Sequence, residues 1–165
     1  MAVAATTELE AINIMLSAIG EAPINSLTGT LPVDAKIAQS TLNEINKKVQ
    51  MEGWSFNTEI DVTLTRDGSN QISLPIDALR VDPNIHQHTT VDAIQRGLKL
   101  YDRLNNKFEF DEDLICTVVY LRDFDEIPEP ARYYMTIKAA RVFVDRLVSD
   151  QGLRTYTQQD EERAR

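Results

Sequence analysis

Three groups of residues have types and spacings that can do chemistry. His86 and His88 are the only histidines of the chain, and in His-Gln-His on a strand both project to one side. Asp82 or Asp92 could add a carboxylate, but a metal site needs three or four ligands, so the pair reads as solvated loop histidines. Cys116 sits in CTVVYL with no histidine near it in sequence, and reads as a core thiol, not a nucleophile. Asp111, Glu112 and Asp113 have the residue type of a glycan-hydrolysing carboxylate pair. An acidic triplet between apolar strands is more simply a solvated turn. The phosphate-cradling patterns GxGxxG and GxxxxGK[ST] are absent. No stretch assembles a nucleophile, a base and an orienting group, so no catalytic, cofactor or metal residue is assigned and the chain reads as non-enzymatic.

The elements that would position these residues centre on LRDFDEIPEPARYYMTIKAARVFVDRLVS, residues 121–149. Pro128 and Pro130 suit a helix start, and the acidic residues before them favour its positive end. Tyr133, Ile137, Ala140, Val144 and Leu147 then recur at helical spacing, widened by Tyr134 and Val148, with Lys138, Arg141, Asp145 and Ser149 opposite. This is expected to be the central helix of a small bundle. Upstream, Thr7 and Glu10 fit a capping box, and Leu9, Ile12, Leu16 and Ile19 mark one face. Gly20 and Pro23 should end that helix. A second helix is expected from Val33 to Glu52, with Ile37, Ala38, Thr41, Leu42, Ile45 and Val49 inward and Lys36, Gln39, Asn43, Asn46, Lys47 and Gln50 outward.

After Gly53 the period changes. Trp54 and Phe56 alternate, then Ile60, Val62 and Leu64, which is the period of a strand. Asp67, Gly68, Ser69 and Asn70 form a turn, and Ile72–Leu74 reads as a return strand. Leu98–Tyr101, Phe108–Phe110 and Leu114–Leu121 read as further short strands, with Asn105–Asn106 a turn and the segment holding Pro75 and Pro83 less regular. Trp54 and Phe56 read as a plug between helices and strands. The resulting class is α+β: an antiparallel helical bundle from residues 1–53 and 122–165, with a β-rich lobe inserted at 54–121. A last, charged helix is expected near Thr157, with Asp160 at the capping-box position.

Composition limits the partners. The net charge of −9, from 26 acidic against 17 basic residues, repels nucleic-acid backbone over most of the surface. Apolar residues make up 42%, enough for a core, yet no run is long enough to span a membrane. No signal peptide is visible, and one cysteine precludes an internal disulfide and fits a reducing compartment such as a cytoplasm.

Three stretches carry a family likeness in order and spacing: ELEAINIMLSAIGEAPINSLTG (8–29), EGWSFNTE (52–59) and LRDFDEIPEPARYYMTIKAARVF (121–143). With them the sequence resembles the tail tubular protein A family, the head-to-tail adaptors of short-tailed bacteriophages. The match is weakest through 66–113. The resemblance implies a structural virion protein at the head–tail junction, made in the host cytoplasm. It implies a dodecameric ring between the portal protein and the tubular tail nozzle, through which DNA is ejected without specific binding, with no cofactor and no membrane. The family pattern continues beyond the last charged helix, so a C-terminal portal-contacting arm is expected to be shortened or absent. Two surfaces are expected to meet partners: the Asp67–Asn70 turn, projecting toward the nozzle, and Leu153, Arg154 and Tyr156, where an aromatic and an arginine lie close together. The competing readings are a glycan hydrolase using the acidic residues of the β lobe and a soluble binding module.

Overall fold

The structure is a computed structural model describing residues 5–147 and 162–163. Leu153, Arg154, Tyr156 and the start of the helix expected near Thr157 lie outside the described residues. The chain is mixed α+β and divides into two compact units, Met1–Val49 with Asp123–Arg165, and Gln50–Arg122.

The first unit holds α1 (Glu8–Ala18), most of α2 (Val33–Gln50) and α3 (Glu129–Leu147). The capping box forms: Thr7 Oγ1 accepts from the Glu10 N–H at 3.2 Å and the Glu10 carboxylate accepts from the Thr7 N–H at 2.9 Å. Gly20 has φ +82°, and the Glu21 N–H reaches the Leu16 carbonyl at 3.0 Å, closing the helix through a left-handed glycine. The Asn13 side chain then clamps both backbone groups of Ile24, ordering the loop that follows. α1 packs on α3. Arg146 on α3 reaches Thr41 at 3.1 Å and Glu44 at 2.8 Å on α2.

The face α3 buries differs from the sequence expectation. Met135, Ala139 and Phe143 are fully buried and Ala140 and Val144 join them, whereas Tyr133 is 52% exposed, Leu147 is exposed and Ile137 is only half-buried. The helix is turned because Arg132 and Thr136 occupy the buried side. The Arg132 guanidinium bonds the carbonyls of Thr6, Asp125 and Ile127, and Thr136 Oγ1 donates to the Arg132 carbonyl. A buried cation needs those carbonyl partners, and Met135, Ala139 and Phe143 pack on the same side of the helix. Asn46 and Gln50, expected outward, are likewise buried on α2.

The second unit is built on β5 (Leu114–Tyr120), which pairs antiparallel with β1 (Thr58–Leu64) on one side and β2 (Ala78–Pro83) on the other. β3 (Ala93–Arg96) and β4 (Lys99–Asp102) form a hairpin. Leu64, Ile72, Leu74, Val81, Leu100, Phe110, Leu114, Cys116 and Val118 share one core. The strand expected from Trp54 begins only at Thr58. Residues 54–57 are a turn in which Asn57 bonds Trp54. A bulge between Glu59 and Val62, with Asp61 at φ +57°, takes Ile60 out of the alternation and leaves it 74% exposed. Ile72–Leu74 and Phe108–Phe110 are not full strands: single bridges at Gln71–Glu109 and Ser73–Lys99 hold them. β2 ends at Pro83, on an edge where a missing N–H costs little, and β3 was not legible as a strand.

Where the chain enters and leaves this unit it is stitched by side-chain amides. Gln50 Nε2 donates to the Arg122 carbonyl and Gln50 Oε1 accepts from the Arg122 N–H, both at 2.8 Å. Asn57 Nδ2 donates to the carbonyls of Gln50 and Tyr120 at 2.9 and 2.8 Å.

Candidate assembly surface

The residues able to do chemistry are drawn into structural roles. His86 and His88 do not share a strand face, because Asn84–His88 is a turn: the His88 N–H bonds the Asn84 carbonyl. His86 is exposed and His88 is buried, which corrects the reading of two solvated histidines. His88 Nε2 accepts from the Ile115 N–H at 2.9 Å, so in the neutral ring Nδ1 carries the proton and donates to Glu112 at 2.8 Å. Asp82 pairs with Arg80 and Asp92 with Arg103 instead of converging on the histidines. Among the described residues no group of three His, Cys, Asp or Glu side chains is placed to hold a metal. Cys116 is a core thiol, and burial, with the Asp82 charge, pushes it up to about 11.

The acidic triplet splits three ways. Asp111 lies 3.6 Å from Lys107, Glu112 accepts from His88, and Asp113 accepts from the Arg66 N–H and guanidinium at 3.0 and 3.2 Å. The Arg66 bonds hold the Asp113 carboxyl below its usual range. A general acid of a glycosidase needs the opposite shift.

The turn Asp67–Asn70 is fully at the surface and tightly made. Asp67 Oδ1 accepts from the N–H groups of Ser69 and Gln71, and Asn70 adopts φ +60°. Those backbone bonds lower the Asp67 pKa. The turn is not loosely projecting, since Arg66 just before it bonds the carbonyls of Phe110 and Asp111. A Cβ at Gly68 would have no atom within 4 Å.

A second surface lies on the β3–β4 hairpin. Ile94, Arg96, Lys99 and Tyr101 alternate onto its face away from Ala93 and Leu100, which are buried. The Arg96 guanidinium stands 3.6 Å over the Tyr101 ring, which meets Phe108 edge-on at 4.9 Å. Leu98 at the tip is 59% exposed, and Leu104 beyond β4 is 62% exposed. Sequence reasoning missed this surface, although IQRGLKLY contains its signal: a glycine dipeptide between alternating residues, with an apolar residue where a turn is normally polar.

Beside the hairpin's other end lies a groove of about 490 Å³ whose walls include Asp102, Glu109, Asp111 and Glu112. Burial raises the Asp102 pKa, but bonds from Asn105, Leu104 and Asp92 outweigh it and hold that carboxyl below its usual value.

Comparison with known proteins gives one family. Residues 9–165 match the family described as tail tubular protein. The chain is 31% identical over 157 residues to the tail tubular protein A of Klebsiella phage KP34, across 93% of this chain and 81% of that protein.

Proposed function

From the premise that this chain belongs to the tail tubular protein family, structural proteins of bacteriophage tails, we propose that it is a head-to-tail adaptor. In this reading, copies close into a dodecameric ring between the portal protein and the tail nozzle, and DNA is ejected through it. The helices form an antiparallel bundle and residues 54–121 form a separate lobe facing the next tail component. The observation that carries the reading is the family match running from residue 9 to residue 165. Charge supports it: a net −9 repeated around a ring lines a conduit to which DNA does not adhere. The carboxylates of the acidic triplet support it too, since each is engaged in holding a loop or facing a lysine, and Asp113 is held below its usual range, away from an acid's role.

Light scattering and negative-stain imaging of the full chain, alone and with its portal protein, test the proposal. A ring-sized particle is the expected result, and a monomer under both conditions overturns it. For the Asp67–Asn70 turn the role is contact with the nozzle. A Cβ added at Gly68 meets no atom within 4 Å, so Gly68→Trp should weaken nozzle binding and leave portal binding intact. Leu153, Arg154 and Tyr156 are proposed, on sequence alone, as part of an assembly arm. Removal of 153–165 should abolish docking on the portal without unfolding the chain.

A further inference from the structure

The β3–β4 hairpin carries two surfaces of opposite character at its two ends. At the tip, the two-residue turn Gly97–Leu98 joins the paired residues Arg96 and Lys99, with Gly97 at φ +65°. Leu98 is exposed there between two cations. Arg96 makes no ion pair among the described residues; it is held flat on Tyr101, so little side-chain freedom remains to be lost on docking. Arginine, tyrosine and an aliphatic anchor at one projecting point have the composition of an interface centre.

The groove at the other end is the complement of that tip. Its lining includes Val91, the edge of the largely buried Phe110 and four carboxylates, of which Glu109, Asp111 and Glu112 are exposed and Asp102 is buried, against the single cation Lys107. At about 490 Å³ it has room for an aliphatic side chain and a guanidinium. The tip cannot enter the groove of its own chain. From Leu98 to Asp102 is four residues of extended strand, roughly 13 Å, and the two surfaces lie at opposite ends of it.

We propose that the Arg96–Lys99 tip of one copy docks in the acidic groove of a second copy, Leu98 on Val91 and Phe110, with Arg96 against the carboxylate rim. A contact between two different surfaces is heterologous, and its repetition gives a ring when the rotation between copies closes. The inference rests on the ring reading above and names the surfaces that build it.

Two measurements on the full chain separate this pairing from the ring itself. The first is particle mass by light scattering for the wild-type chain and for Arg96→Glu with Leu98→Asp. Self-association weakened by roughly thirtyfold or more is expected of the variant. The second is thiol cross-linking of a chain carrying Leu98→Cys and Asp111→Cys, both exposed, with Cys116 buried and silent. A ladder of dimers and higher species is expected, and none from Leu98→Cys with Ser40→Cys. If the wild-type chain forms rings, but the charged tip assembles equally well or the ladder is missing, the pairing is overturned and the ring reading stands. If no particle above a monomer forms and no ladder appears, both fall.

Discussion

Replacing Gln50 with leucine tests how the second unit is closed. The Gln50 side chain is fully buried at the end of α2, and its amide pairs with both backbone groups of Arg122 at 2.8 Å, as a neighbouring strand would. Leucine fills similar volume and leaves one N–H and one carbonyl without those partners. Each orphaned backbone group costs about 1–3 kcal/mol when kept from water. Arg122 is half-buried, so water relieves part of this, and the expected loss is about 2–4 kcal/mol. Gln50→Glu keeps the acceptor but sets a buried carboxylate against the Arg122 carbonyl, so it should cost at least as much as leucine. The assay is urea unfolding at constant slope, with hydrogen exchange of the Arg122 amide as the local readout. A loss under about 1 kcal/mol with the Arg122 amide still protected would refute the reasoning, because the backbone pairing would then be sustained without the side chain.

Other perturbations follow from the same packing. Phe143→Ala should cost about 3–5 kcal/mol in chemical denaturation, while Ile137→Ala on the same helix should cost nearer 1 kcal/mol; equal losses would show that α3 is rotated otherwise. Gly53→Ala should lower the melting temperature more than Gly20→Ala. Both have left-handed φ, but only at Gly53 does a Cβ meet Arg80 at 3.1 Å and Val119 at 3.2 Å. Glu129 is held below its usual 4.5 chiefly by the Thr6 hydroxyl, then by the Thr6 N–H and the Arg132 charge. A depressed carboxylate contributes stability above its unfolded pKa and loses it as pH falls through the folded value. Urea midpoints of Glu129→Gln should therefore fall below wild type at pH 7 and converge with it in acid; a constant difference across pH would reject the assignment.

Local signals were legible in the chain, and long-range ones were not. The capping box at Thr7 and Glu10, the left-handed Gly20 and the turns at Asp67 and Asn105 are each specified by residues within four positions, and each forms. β5 was legible because Leu114–Tyr120 is dominated by β-branched, aromatic and apolar residues. The α3 face was misread because hydrophobicity ranks Tyr133 and Ile137 above Arg132 and Thr136. A guanidinium bonded to carbonyls of Thr6, Asp125 and Ile127 depends on chain segments more than a hundred residues apart. Ile60 was misread because one extra residue in the bulge shifts the alternation, and only the partner strand reveals it. Asn46 and Gln50 were placed outward by polarity, yet an amide can be buried when it pairs with backbone.

The same distinction bears on the acidic triplet, which has the residue type of a catalytic pair and reads from sequence as a solvated turn. A catalytic carboxyl pair needs two groups facing one reacting atom, at least one of them raised in pKa. Here hydrogen bonds bring carboxylates to backbone N–H groups and cations: Asp67 to its own turn, Asp102 to the turn after β4, Asp113 to Arg66, and Glu129 to Thr6. All four are lowered, so all four stay ionised through neutral pH. Ionised groups so held act as fixed acceptors that order short loops without a large core. That use suits a lobe whose 490 Å³ groove keeps a negative rim and whose hairpin offers a positive tip. Of these four carboxylates only the buried Asp102 lines the groove, whose exposed negative charge comes from Glu109, Asp111 and Glu112; Glu112, which also accepts from His88, is where loop order and the proposed recognition of a cationic tip meet.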